Sequence, residues 1–289
     1  MSRLTPEELR EVRRLHVQTG RKVDSLFAGD WRSAFRGRGM EFEEVREYVP
    51  GDDVRHIDWN VTARTGEPFI KVFREERQLT VLLAVDVSGS THTGTGGRDG
   101  RTDKRLQSAR IAGGLAYAGV RNRDKVGLLT FTDRVEHFIA PRASRGHVWN
   151  IIQHAYDATA ASRGTDLSEA LGFIARTQRR RAVVVVVSDF LDSGRWDKVM
   201  GTLAARHTVH ALVVHDRLDE GLGQLGLLEV VDPESGRLRV VHGRRMRGVS
   251  VEDRVQRLQR TGARAVAIGT EDDPFRTLHR HFQRSGGRR

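Results

Sequence analysis

The sequence predicts an α/β protein. Its core is a doubly wound, mostly parallel sheet with helices on both faces, joined to a small N-terminal helix and β-rich subdomain. Three observations carry that expectation. From Leu79 onward, short apolar runs alternate with longer segments of helical spacing, the pattern of repeated strand–helix units. One apolar run, Val183 to Val187, is five consecutive valines, which suits a strand covered on both faces. Polar residues, aspartate above all, gather where these runs stop, and open sheets of this kind bind ligands there.

Each element has its own reason. Leu4-Thr5-Pro6-Glu7-Glu8-Leu9 opens a helix: Thr5 caps it, Pro6 suits the first helical position, and Glu8 closes a capping box. That helix runs to Gly20 or on to Phe27. Between Gly37 and Glu76 the segments 40–43, 45–48 and 69–73 read as short strands, separated by Pro50-Gly51-Asp52-Asp53 and Thr65-Gly66-Glu67-Pro68. Asp52 or Asp53 is expected to cap one helical turn through Ile57-Asp58-Trp59, with Trp59 as a packing anchor. Glu41, Glu43, Glu44, Glu47, Asp52, Asp53 and Asp58, interleaved with Arg46, Arg55 and Arg64, read as a solvated face of ion pairs. Strands are then expected over 79–87, 125–132, 182–188, 208–215 and 263–270, with 134–140 as an edge strand. Helices are expected over 104–121, 144–158, 166–180, 195–205, 251–261 and 274–284. Residues 227–231 and 237–241 flank Asp232-Pro233-Glu234-Ser235-Gly236 and read as a hairpin inserted at the sheet edge. The domains are thus 1–78 and 79–289.

Composition narrows the function. Hydrophobic residues make up 38% of the chain, enough for a core, although 30% are charged. No apolar stretch approaches the roughly 20 residues that span a bilayer, and the charged N-terminus lacks a signal-peptide core. Cysteine is absent, so disulfides and thiolate metal sites are excluded. A soluble, cytoplasmic protein is the expectation. The net charge of +11 invites a nucleic-acid reading. Against it, arginines are scattered through every segment, no basic run is interleaved with stacking aromatics, and aromatics are only 6%. No nucleic-acid partner and no membrane span are expected.

The chemistry sits at the strand ends. The first strand stops in Asp86-Val87-Ser88-Gly89-Ser90 and the valine strand in Ser188-Asp189, with Arg163-Gly164-Thr165-Asp166 between them ahead of a helix. Three readings compete for Asp86 and its serines: a turn, a hydrolase nucleophile, or a metal cup. A nucleophile elbow needs G-x-S-x-G, and Ser88 lacks it. Gly94-Thr95-Gly96-Gly97 lacks the spacing of a phosphate loop. Two carboxylates and three hydroxyls converging on one edge are hard oxygen donors, suited to Mg²⁺, Mn²⁺ or Ca²⁺. A hydrolase using the same cup and a nucleic-acid binder are the alternatives to a metal-dependent binding module.

D-x-S-x-S behind an apolar strand, a later threonine after glycine and an aspartate ending a further strand resemble the metal-ion-dependent adhesion site of von Willebrand factor A domains. The resemblance implies that Ser88, Ser90 and Thr165 touch the ion and that Asp86 and Asp189 act mostly through water. Gly37-Arg38-Gly39-Met40-Glu41-Phe42, Arg46-Glu47-Tyr48-Val49-Pro50-Gly51-Asp52-Asp53-Val54-Arg55 and Ile57-Asp58-Trp59-Asn60-Val61-Thr62-Ala63-Arg64 resemble the bacterial family called domain of unknown function fifty-eight. Its members join this signature to a von Willebrand A-like domain. That resemblance implies no catalytic residues and a partner or adaptor role beside MoxR-type AAA+ ATPases. It implies a magnesium-held site that accepts a Glu or Asp from that ATPase or its client. The stretch 91–102 departs from the von Willebrand A pattern as an insertion between the second serine and the first helix.

Overall fold

The computed structural model describes residues 41–74, 78–92, 103–156, 162, 164–192, 194–221, 227–231, 238–242 and 248–286. The expected helix from Leu4 and residues 93–102 of the insertion lie outside these. The strands and helices through Arg74 belong to one compact unit, and those from Thr80 onward belong to another.

In the smaller unit β1 (Glu41–Glu47) pairs antiparallel with β2 (Phe69–Arg74), with a register shift between Phe42 and Glu44. The two short strands expected over 40–48 are therefore one bulged strand. Two local caps differ from expectation. Asp53 caps a 3-10 turn over Val54–His56, and Asp58 caps helix α1 (Trp59–Thr65), accepting from the Asn60 and Val61 amides. The turn expected through Ile57–Trp59 is thus two separate turns, each with its own aspartate. Asp52 instead takes a two-pronged ion pair from Arg46, at 2.7 and 2.8 Å. Trp59 is 70% exposed, so it is not the packing anchor expected of it. No side chain of that seven-residue helix is buried.

The larger unit holds a six-stranded sheet in the order β10-β7-β6-β3-β4-β5. Its strands are β3 (Thr80–Asp86), β4 (Lys125–Phe131), β5 (Val135–Arg142), β6 (Val183–Ser188), β7 (Thr208–His215) and β10 (Arg264–Gly269). All neighbours run parallel except β5, which lies antiparallel to β4 at the edge. The doubly wound, mostly parallel sheet read from the sequence is therefore present. Alternate residues of each central strand feed two cores. Val81, Leu83 and Val85 pack under α2 (Lys104–Arg121), α3 (Arg145–Tyr156) and α7 (Pro274–Gly286). Leu82 and Ala84 face α4 (Leu167–Thr177), α5 (Asp197–Arg206) and α6 (Val251–Arg260). Burial on both faces explains the unbroken valines of β6.

Gly113 and Gly114 let α2 approach its neighbours closely. A Cβ on the first would meet the Ile152 side chain at 2.8 Å, and one on the second would meet Phe275 at 2.5 Å. The hairpin is real, with β8 (Leu227–Val231) antiparallel to β9 (Leu238–His242). It is not part of the main sheet's edge: among the described residues the two strands pair only with each other.

Candidate functional site

Strand β3 is apolar and fully covered from Val81 to Val85, and this brings Asp86 to the carboxyl edge of the sheet while leaving it 2% exposed. Its two oxygens have different partners. Oδ1 accepts from the Ser88 backbone N–H at 2.9 Å, and Oδ2 accepts from the Ser188 hydroxyl at 2.7 Å. The Ser88 carbonyl accepts from the backbone and the hydroxyl of Thr91, which closes the 3-10 turn Gly89–His92. That turn sets the Ser88 and Ser90 hydroxyl oxygens 3.1 Å apart. Burial, and then the nearby Asp189 carboxylate, push the Asp86 pKa up to about 7, against the pull of the Ser88 and Ser188 hydrogen bonds. Among the described residues no cation is paired with Asp86.

Asp189 follows β6, the neighbour of β3. The chain turns sharply there: Phe190 has φ 53°, a left-handed conformation rare outside glycine. The turn is fixed by the Ser188 hydroxyl, which accepts from the Phe190 amide at 3.0 Å, and by burial of the Phe190 ring beside Trp196. The Asp189 carboxylate is already engaged. Oδ1 accepts from the Leu191 amide at 3.2 Å, and Oδ2 accepts from the Lys104 ammonium at 3.1 Å. Lys104 also donates to Asp219 Oδ1 at 2.8 Å. Arg254 completes the group, donating to the Asp189 carbonyl at 2.6 Å and standing 3.9 Å from Asp219 Oδ2. Burial pulls the Lys104 pKa down, but Asp189 and Asp219 outweigh it and hold the value above that of an ordinary lysine. The ammonium therefore stays charged.

Thr165 lies half-buried in the segment ahead of α4. The Asp166 amide donates to the Thr132 carbonyl at the end of β4, and the Leu167 amide donates to Asp192 Oδ2 in the turn after β6. The segment is thereby fixed to the ends of both strands that flank β3. Asp86, Ser88 and Ser90 share one turn, Asp189 stands on the adjacent strand end, and Thr165 is carried on this bridging segment. Asp133 and Asp216, the other strand-end acids, have partners of their own. Asp133 pairs with Arg134, and Asp216 caps a 3-10 turn at Arg217–Glu220 while accepting from the Thr270 hydroxyl at 2.7 Å.

The donor set fits a small hard cation in part. Octahedral bonds of about 2.1 Å put neighbouring ligand oxygens about 3 Å apart, which is the spacing of the two serine hydroxyls. A buried carboxylate with a raised pKa and no paired cation is what a bound ion would offset. Among the described residues, no group of three or more His, Cys, Asp or Glu side chains is placed to hold a metal ion.

Comparison with known proteins places the chain. The family described as "Protein of unknown function DUF58" matches residues 44–260. The chain belongs to this family. This DUF58 protein is 32% identical over 236 residues to an uncharacterized protein of Mycobacterium tuberculosis, covering 81% of its own length and 73% of the relative's. Among solved structures it is similar to the conserved hypothetical protein BatB from Bacteroides thetaiotaomicron, at 15% identity and a TM-score of 0.49, over 73% of this chain and 100% of that one. It is also similar to proximal thread matrix protein 1 of the mussel byssus, a protein solved with a zinc-occupied adhesion-site motif. That match has 10% identity and a TM-score of 0.43, over 73% of this chain and 47% of the other. No helix among the described residues of this DUF58 protein is long and apolar enough to cross a membrane.

Sequence reasoning missed three residues of this region, Lys104, Asp219 and Arg254, and placed Ser188 at its strand end without giving it a role. One of them carried a signal. Lys104 is one of five lysines in an arginine-rich chain, and it stands at the first position of a helix, where the dipole disfavours a cation. Such a placement needs carboxylates nearby. Asp219 and Arg254 come from distant elements and carry no comparable mark.

Proposed function

We propose that this chain is a non-enzymatic protein-binding module that uses a divalent cation, Mg²⁺ in the first instance, to capture a carboxylate of its partner. One observation carries the reading: the buried Asp86 carboxylate, with no paired cation among the described residues, beside two serine hydroxyls at the spacing of neighbouring ligands. Ser88, Ser90 and Thr165 would hold the ion directly, and Asp86 and Asp189 would hold its waters. The bound ion supplies an electrophilic position for an incoming oxygen. The chain's own residues do the rest. The Asp86 carboxylate orients the Ser88 amide and so the turn, and Ser188 holds that carboxylate in place. Among the described residues no histidine is hydrogen-bonded to the Ser88 hydroxyl, which meets Ser90 and the Asp86 carboxylate. The partner offers a Glu or Asp side chain. A MoxR-type AAA+ ATPase, or a client of one, is the partner we put forward from the family resemblance. A cysteine-free chain suits the cytoplasm as the setting.

Isothermal calorimetry with Mg²⁺ tests this. Wild-type protein gives binding heat and a raised melting temperature, and Asp86→Ala loses both. Absence of heat and of stabilisation in folded wild type would sink the proposal.

A further inference from the structure

The two aspartates of the candidate site are not equivalent. Asp189 has a buried ammonium on one carboxylate oxygen and Arg254 on its carbonyl, whereas Asp86 has an amide and serine hydroxyls and, among the described residues, no cation. Lys104 is 1% exposed, at the start of an 18-residue helix whose dipole opposes a positive charge. Burying a cation there is unfavourable unless carboxylates pair with it, and Asp189 and Asp219 both do, at 3.1 and 2.8 Å.

Resting on the cation reading above, we propose that Lys104 is a built-in counter-cation that neutralises Asp189, so that a divalent ion in the serine cup is held weakly until a partner's carboxylate joins it. Charge sets the ion's affinity. An ion at the Ser88 and Ser90 hydroxyls meets neutral donors and one unneutralised carboxylate, Asp86. Asp189 is drawn toward Lys104 and gives the ion little of its charge. The missing negative charge then comes from outside, as the Glu or Asp of the partner. Cation and carboxylate therefore raise each other's affinity by the same factor, because coupling between two sites is reciprocal. Lys104 is a positioning residue: it acts on the ion through Asp189.

The test is calorimetric titration with Mg²⁺ alone, on wild type, on Asp219→Asn and on the double variant Lys104→Met/Asp219→Asn. The double variant removes the ammonium together with its second carboxylate, which frees the Asp189 carboxylate of Lys104 without stranding Asp219 and leaves Arg254 on the Asp189 carbonyl. Lys104→Gln is read in its place where circular dichroism shows that the double variant does not fold. The expected result is Mg²⁺ affinity at least tenfold tighter in the double variant than in wild type, and no tighter in Asp219→Asn. A purely structural Lys104 predicts the opposite direction, since its loss would loosen the site. A folded double variant that binds no tighter than an Asp86-dependent wild type overturns the role of Lys104 and leaves the cation reading standing. Asp219→Asn binding as tightly as the double variant also overturns it, by assigning the effect to Asp219. No binding by any of the three proteins overturns both.

Discussion

Strands β1 and β3 are each seven residues long, yet different forces hold them. Strand β3, Thr-Val-Leu-Leu-Ala-Val-Asp, lies between two parallel neighbours and buries both faces. Strand β1, Glu-Phe-Glu-Glu-Val-Arg-Glu, has one antiparallel partner and a bulge, and its surroundings are tied by local polar contacts. Arg46 grips Asp52, Arg55 grips Asp53, and Lys71 stands 3.3 Å from Asp58. Where burial decides the structure, any residue of the right size and polarity serves, and the pattern matters. Where caps and ion pairs decide it, single side chains matter and the pattern says little. Each prediction below presses on one side of that contrast.

The largest effect belongs to the buried strand. Leu83 is fully covered, with β4 and β6 on either side and α2 above. Leu83→Ala removes its apolar contacts and leaves a cavity, at a cost of about 3 kcal/mol. Urea denaturation followed by circular dichroism reads this as a lower midpoint with an unchanged slope. A loss below about 1 kcal/mol would mean that the sheet relaxes into the space, and burial would then not be the dominant force on β3.

A smaller effect probes the polar minority inside the same core. His210 on β7 and His281 on α7 share a hydrogen bond of 2.9 Å, with Phe282 packed against both rings. Burial, then the charge of Arg264, push the His281 pKa down to about 4, and burial holds His210 well below the usual value. The folded state therefore binds fewer protons than the unfolded chain between about pH 4 and 6.5. Stability is fully present above 6.5 and is lost as pH falls toward 4, by up to about 3 kcal/mol for His281. His281→Gln keeps a hydrogen-bonding group and cannot titrate. Its urea midpoint should fall less than that of wild type between pH 7 and 4.5, and equal slopes against pH would refute the assignment.

The same contrast explains what was legible in the sequence. All six strands of the main sheet and the six helices around it were readable, because apolar period and length express burial directly. Helix α2 matched its expected span of 104–121, since Asp103 caps it with a 2.6 Å bond to the Leu106 amide. Helix α4 stops at Thr177, short of the expected 180, where the extended Gln178 ends it. In the smaller unit, helix α1 was read only as one turn through Ile57–Trp59: seven residues carry too little periodicity, and its start depends on the Asp58 cap. At the candidate site, the strand-end places of Asp86, with Ser88 and Ser90 behind it, and of Asp189 were visible because chain order puts neighbouring strand ends on one edge. Lys104, Asp219 and Arg254 were not, because their charges meet only after helix α2 and the residues around Asp219 and α6 pack together. Pairing between distant charges has no sequence period.

The smallest effect returns to the polar side, and it separates a cap from an ion pair. Asp58 Oδ1 accepts from the Asn60 and Val61 amides at 3.0 and 3.3 Å, and Oδ2 faces the Lys71 ammonium at 3.3 Å. Its own amide donates to Phe69 on β2, so α1 and β2 meet at this residue. Asp58→Ala removes both the cap and the ion pair. Asp58→Asn keeps the cap and removes only the charge, since asparagine caps helices about as well as aspartate. Lys71 is substantially exposed, and ion pairs of that kind contribute little. Amide exchange at Asn60 and Val61 should therefore accelerate roughly fivefold in Asp58→Ala and stay near wild type in Asp58→Asn. Equal acceleration in both variants would assign the helix start to the Lys71 pair, and charge rather than capping would then order this part of the chain.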